Sequence, residues 1–182
     1  MKYLLFPLGN PSKKYEFTRH NAGRFVLEYL KKEKGFNEFL IENDIYVFLP
    51  DTFMNESGKA LKDFIKNKNI PEKNIIILYD DKDLEIGDVR ISINRNDGGH
   101  NGLKDIIEKL KTKEFYRLRI GIAPKGTGKE GLIPPHGEVV QRYVLANFSE
   151  EEKDRIYQEY LTNKEYSRLK LFKNNLNSSL DL

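Results

Sequence analysis

Five polar residues at the ends of extended segments could together form a hydrolytic site without a nucleophilic side chain. Asn10 follows the first apolar run in LGNP, and His20 ends the same loop in TRHN. Asn55 lies in TFMNESG, Asp80 ends IIILYD, and Asn101 follows His100 in GGHNG. A neutral imidazole takes a proton from water near neutral pH, and a carboxylate on its other nitrogen fixes the tautomer and steadies the imidazolium. Asparagine amides can donate to a developing oxyanion and accept from the attacking water without disturbing that charge. Each residue also has a structural reading: Asn10 before Pro11 and Asn101 before Gly102 are ordinary turn formers, Asp80 could cap a turn, and His20 could be a satisfied core histidine.

Other chemistries have less to stand on. The chain has no cysteine, which removes thiolate nucleophiles, disulfides and cysteine-based metal sites. GTGKEG at 126–131 matches a glycine-rich phosphate loop, but LIPPHG follows, and its prolines forbid the helix whose N-terminus would meet the phosphate. No G-x-x-x-x-G-K-[ST] accompanies Asp80 and Asp81, and no G-x-S-x-G is present, so Ser57 reads as a helix cap. His20, His100 and His136 are far apart in sequence, with no i, i+4 pair, and give a metal site little support.

To bring the polar residues together, strands must end where their loops begin. Lys2 to Leu8 reads as a strand, followed by the turn-rich loop GNPSKKYEFT. A helix is expected from about Asn21, because Phe25, Val26, Tyr29 and Leu30 form one stripe, with Asn21 as cap and Gly35 as stop. Phe39 to Leu49 looks strand-like with a hairpin turn at ENDI, and PDTFMNESG leads into a helix whose face is Ala60, Leu61, Phe64 and Ile65. Ile75 to Tyr79 has the continuous apolar character of a strand buried on both faces. Val89 to Ile93 and Tyr116 to Ala123 read as strands on either side of a helix from Leu103 to Leu110. Pro124 to Glu138, rich in glycine and proline, reads as a mobile surface loop. Ser149 and Glu152 form a capping box that opens a helix carrying Ile156, Tyr160 and Leu161, and the tail at 174–182 is expected to fray. The alternation predicts an α/β sandwich: a single domain over 1–182 with a mixed, mostly parallel, twisted central sheet flanked by helices. In such a sheet the loops after the carboxyl ends of strands converge on one crevice.

Size and composition agree. At 182 residues, 38% hydrophobic and 32% charged, the chain suits one buried core. No apolar run approaches the roughly 18 residues that cross a bilayer, and MKYLLFPLGNP is too short for a signal sequence, so a cytoplasmic protein is expected. The net charge is only +3, yet Lys104 to Lys129 holds eight basic residues against three acidic ones. That local excess is either solvated surface or the footprint of a phosphate-rich partner.

Five segments, LGNPSKKYEFTRHNAG, DTFMNESG, YDDKDLEIG, GGHNGLKDII and FYRLRIGIAP, closely resemble, in this order and spacing, the bacterial-type peptidyl-tRNA hydrolases over about residues 3 to 148. The resemblance implies a monomeric cytoplasmic α/β enzyme that cleaves the ester between a peptide and the 3′ ribose of tRNA, with no metal or organic cofactor. It implies His20 as the base, Asp80 as its orienting carboxylate, and Asn10, Asn55 and Asn101 as the amides of the site. Tyr15 would receive the 3′ terminal nucleotide, and Phe53 and Met54 would be apolar walls of the peptide groove. The basic stretch would then hold acceptor-stem phosphates, with Lys104, Lys111, Lys113 and Arg119 as candidates and Lys104 and Lys111 on one helix face. Two departures stand out: Pro7 and Ser12, beside Asn10, replace glycines of the family's opening motif, and NRND precedes GGHNG where the family often carries a glycine-rich or basic run. The rival readings are a non-catalytic RNA-binding relative, which would lose the His/Asp pair, and a nucleotide hydrolase holding a divalent metal on Asp80 and Asp81.

Overall fold

The computed structural model describes residues 2–32, 36–42, 44–126 and 137–161. Five strands form one sheet in the order β2-β1-β3-β5-β4: β1 (Tyr3–Pro7), β2 (Ile45–Val47), β3 (Ile75–Glu85), β4 (Val89–Ile93) and β5 (Tyr116–Ala123). The pairs β1–β2, β1–β3 and β3–β5 are parallel, and β4 runs antiparallel to β5. The sheet is therefore mixed and mostly parallel, as expected. Helices α1 (Ala22–Leu30), α2 (Phe36–Glu42), α3 (Ser57–Lys68), α4 (Asn101–Leu110), α5 (Glu138–Leu145) and α6 (Glu150–Leu161) complete the chain.

Strand alternation sorts the core into two layers. Leu5, Ile76, Leu78, Ile120 and Ile122 pack with Val26 and Leu27 of α1, with Phe148, and with Ile156 of α6. Leu4, Phe6, Ile75, Ile77 and Tyr79 pack on the other face with Leu61 and Ile65 of α3 and Leu103 and Ile106 of α4. Burying one such side chain is worth about 1.5–3 kcal/mol, so the two layers together fix which face each strand residue meets. Where α1 crosses β3 it carries Gly23, and a Cβ there would lie 2.3 Å from the Leu78 carbonyl oxygen. This close approach brings the entry of α1, with His20, down onto β3.

Several expectations need correction. Phe39 to Leu49 is no hairpin: α2 occupies its first half, with Phe36 and Leu40 one helical turn apart in the core, and β2 pairs with β1 in parallel. Strand β3 does not stop at Tyr79 but runs on through Asp80 and Asp81 to Glu85. Helix α5, which has no counterpart in the sequence reading, follows Gly137 directly. Asn21 stands at the N-cap of α1 but makes no capping bond with its side chain, and Ser57 is the first residue of α3 with a buried, unpartnered hydroxyl. The capping box holds: Glu152 Oε2 accepts from the Ser149 N–H at 2.8 Å, and Ser149 Oγ from the Glu152 N–H at 3.1 Å. Gly35, most of the Pro124–Glu138 loop and the tail at 174–182 lie outside the described residues.

Candidate active site

Asp80 sits inside β3, 4% exposed, and one of its oxygens serves two imidazoles. Its Oδ1 lies 2.9 Å from His20 Nδ1 and 2.9 Å from His100 Nε2, and the two rings are 4.7 Å apart between centroids. His20 stands in a 3-10 turn, Arg19–Asn21, that leads into α1. His100 is the N-cap of α4, and its Nδ1 accepts from the Leu103 N–H at 3.3 Å. That acceptance assigns the hydrogen of His100 to Nε2, where it is donated to Asp80. Burial alone would push the Asp80 carboxyl up, but the charges of His20 and His100 and their hydrogen bonds hold it well below the usual carboxylate range. Asp80 thus stays an acceptor, His20 donates through Nδ1, and His20 Nε2 has no hydrogen-bond partner among the described residues.

His100 was absent from the sequence-derived set, although it adjoins Asn101 at the start of a helix. Its route to the site explains why spacing missed it. Strand β4 runs the wrong way: Ile93, its last residue, pairs with Tyr116, the first of β5. The chain therefore leaves β4 at the amino end of the parallel strands, and Asn94–Gly99 must climb back along the sheet before His100 meets Asp80. His20 and His100, far apart in sequence, thus meet in space. His20, Asp80 and His100 offer ligand atoms within 4.8 Å of one another, but for His100 Nε2 to bind a cation its hydrogen must leave and the bond from Leu103 must be lost. This donor set fits a metal poorly.

Asn10 is held from three sides. Its backbone N–H donates to Asn21 Oδ1 at 2.8 Å, its carbonyl accepts from Asn21 Nδ2 at 2.9 Å, and its own Oδ1 accepts from the Met54 N–H at 2.9 Å. With the oxygen engaged, the Asn10 amide presents its Nδ2 hydrogens as donors. The Asn21 side chain is thus spent on the loop rather than on capping. Ser12, at one of the replaced glycines, adopts φ 79 and ψ 152, a conformation almost confined to glycine, at a cost in strain. Arg19 anchors the other side of His20: its Nη2 meets both Glu152 oxygens at 2.9 and 2.8 Å, and its guanidinium lies 4.5 Å over Tyr143.

The remaining expected residues divide. Tyr15 and Phe53 meet edge to face at 6.5 Å, with Phe53 exposed. Asn55 and Asn101 are exposed, and Asn101 lines the crevice of about 210 Å³ that also contains His20, Asp80 and His100. Met54 is a core residue rather than an open groove wall: it is 4% exposed, and its sulfur packs so closely that a Cβ on Gly102 would lie 2.6 Å away. Lys104 and Lys111 are exposed, but Lys111 lies past the end of α4 with φ 60, so the two do not share a regular helix face. Lys113 Nζ donates to Asn96 Oδ1 at 3.0 Å. Arg119 is the clearest correction. It is 7% exposed, on the interior strand β5, and its Nε donates to Asp81 Oδ2 at 2.6 Å. Burial opposes its charge, yet the bond to Asp81 and the charge of Asp81 raise its pKa further. Asp81 is thereby occupied on the sheet face opposite Asp80, so the two adjacent carboxylates cannot chelate one cation between them.

A sequence model of the family described as peptidyl-tRNA hydrolase matches residues 4–180. The peptidyl-tRNA hydrolase of Caldanaerobacter subterraneus subsp. tengcongensis is 43% identical over 163 residues, 83% of each chain. That of Clostridium tetani is 42% identical over 166 residues, 85% of this chain and 82% of its own. Among solved structures, a peptidyl-tRNA hydrolase from Acinetobacter baumannii superposes with a TM-score of 0.69 at 34% identity, over 85% of this chain and 81% of that one. A peptidyl-tRNA hydrolase in complex with N-propanol gives 0.69 at 33% identity over the same shares.

Proposed function

The chain belongs to the peptidyl-tRNA hydrolase family, and on that footing we propose that it cleaves the ester between a peptide and the 3′ ribose of tRNA with His20 as general base. The observation that carries this reading is the pair of 2.9 Å contacts on one oxygen of Asp80, which leaves His20 Nε2 as the free ring nitrogen in the crevice. Water loses a proton to Nε2 as its oxygen attacks the ester carbonyl. Asp80 steadies the imidazolium that forms. The tetrahedral intermediate then expels the ribose oxygen, which takes the proton back from Nε2, and the products are tRNA with a free hydroxyl and the peptide carboxylate. In this reading the Asn10 amide, whose oxygen is taken by the Met54 N–H, donates through Nδ2 to the oxyanion, a kind of contact whose removal typically costs about 10² to 10³ in rate. His100 acts through Asp80 as a positioning residue. Asn55, Asn101, Tyr15 and Phe53 belong to substrate binding in this reading.

The groups named come from one chain, which is consistent with action as a monomer, and substrate made on ribosomes is consistent with a cytoplasmic location. No helix among the described residues is long and apolar enough to cross a membrane. Release of free peptide from a peptidyl-tRNA in the presence of excess chelator tests the whole reading. Undiminished hydrolysis is expected. A chain that binds the substrate without cleaving it would be an RNA-binding relative, and loss of activity on chelation would restore a metal mechanism.

A further inference from the structure

The crevice around His20 is lined by charged side chains, and nearly all of them are already spoken for. Asp80 serves the two histidines, and Asp81 is paired with Arg119. Asp83 lies 2.5 Å from Lys82 Nζ, and Asp97 Oδ1 accepts from the Gly99 N–H at 2.8 Å. Arg95 also lines this crevice. It is exposed and has no carboxylate within ion-pair distance among the described residues. Of the cations on the described crevice wall, it is the one left for a ligand.

The loop that presents Arg95 is unusually well fastened. Arg117 is fully buried and has no carboxylate partner among the described residues. Its Nη1 donates to the Asn96 carbonyl at 2.8 Å, its Nη2 donates to the Arg95 carbonyl, and its guanidinium lies 4.8 Å over Phe115. Burying a guanidinium is costly unless its donors are used; here Nη1 and Nη2 are used on the backbone of residues 95 and 96, while Nε stays buried without a partner. Lys113 holds the Asn96 side chain as well. A loop clamped in this way loses little conformational entropy when the Arg95 side chain engages a ligand.

Building on the hydrolase reading, we infer that Arg95 is the phosphate contact of the crevice, gripping an RNA phosphate next to the esterified 3′ end. A guanidinium meets phosphate oxygens through paired N–H donors, and such a contact fixes the register of the RNA without reading its bases. The basic loop residue therefore takes the role that the buried Arg119 cannot.

The test compares wild type with Arg95→Gln and Arg95→Lys on N-acetyl-aminoacyl-tRNA, with and without its 5′ phosphate, and on N-acetyl-aminoacyl-adenosine, which has no phosphate. Arg95→Gln is expected to raise KM on tRNA about tenfold, as loss of one charge-assisted bond would, with kcat nearly unchanged. The slope of log affinity against log salt for deacylated tRNA should flatten by about 0.7 to 0.9, and Arg95→Lys should recover part of both effects. Activity on the adenosine ester should not change. A KM effect confined to tRNA bearing the 5′ phosphate identifies that group as the ligand, and an equal effect on both tRNAs identifies a backbone phosphodiester. Unchanged KM and salt slope, or an equal loss on the adenosine ester, would overturn the inference. If wild type cleaves none of the three esters, the hydrolase reading fails, and tRNA binding alone then decides the role of Arg95.

Discussion

The residues of the histidine cluster are scattered along the chain and the basic residues from Lys104 to Lys129 are contiguous in it, and the fold treats the two in opposite ways. The cluster draws two histidines from distant segments onto one oxygen of Asp80. The basic stretch, contiguous in the chain, is dispersed. Arg117 and Arg119 turn into the protein beneath β5, Lys113 is tied to a loop, and Lys104 and Lys111 remain in solvent. Period-two alternation is the cause: Arg117 and Arg119 share a sheet face with Tyr79 and Asp81 across the β3–β5 pair, while Leu118 and Ile120 face the other layer. Charge summed along a sequence thus overstates a surface, and a chemical group scattered along it can be understated.

The largest expected effect falls on the cluster. Replacing His20 with Ala should lower turnover by about 10² to 10⁴, the range of a general base, while tRNA binding stays nearly intact. Near-normal turnover in a folded variant would remove the cluster from catalysis. Next comes Asp80→Asn, which should slow hydrolysis less than His20→Ala does and move the acidic limb of the rate profile to lower pH, because without the carboxylate the imidazolium loses its proton more readily. The sign in the wild type is clear as well. Asp80 is held below the usual carboxylate range, so the stability its charge contributes is present above that range and is lost only as pH falls through the lowered value. Profiles of wild type and Asp80→Asn that coincide in height and midpoint would make Asp80 a structural residue.

A smaller displacement of opposite sign is expected for His100→Asn. Asparagine keeps a good N-cap for α4 but removes the second donor, and the Asp80 charge then acts on His20 alone. The acidic limb should move to higher pH, and an unmoved limb would show that His100 only caps the helix. The basic stretch is sharpened by a paired measurement. Arg119→Gln should cost about 2 kcal/mol in denaturant unfolding, since it leaves the Asp81 carboxylate short of a partner in the interior, and should leave the salt dependence of tRNA binding alone. Changing Lys104, Lys111 and Lys113 together to Gln should do the reverse, with a change in salt slope of about 2 to 3 at most if each meets a phosphate. A salt effect from Arg119 would mean that its buried pair opens on RNA.

Much of the fold was legible because it rests on local patterns. Strands β4 and β5 and the start of α1 follow from apolar periodicity, although α1 ends at Leu30 rather than reaching the expected stop at Gly35, and the Ser149–Glu152 box follows from two side chains three residues apart. Helix α2 was misread because Phe39 to Leu49 is rich in strand-forming residues, and only the placing of Phe36 and Leu40 on the core favours a helix there. Asn21 was placed correctly at a helix start, but its amide is taken by a neighbour eleven residues back.

What the sequence by itself determined is the alternation of helices and strands, the absence of thiol chemistry, and the presence of an imidazole, a carboxylate and amides where loops meet strands. Residue type and spacing suffice for these, since hydrophobic periodicity acts over a few residues. Tertiary structure decided which groups face one another. The antiparallel course of β4 and the climb of residues 94–99 deliver His100 to Asp80, while strand alternation turns Asp80 toward the histidines and Asp81 toward Arg119. Those outcomes depend on strand direction and register, which are set by hydrogen bonding between segments far apart in the chain, and no local window contains them.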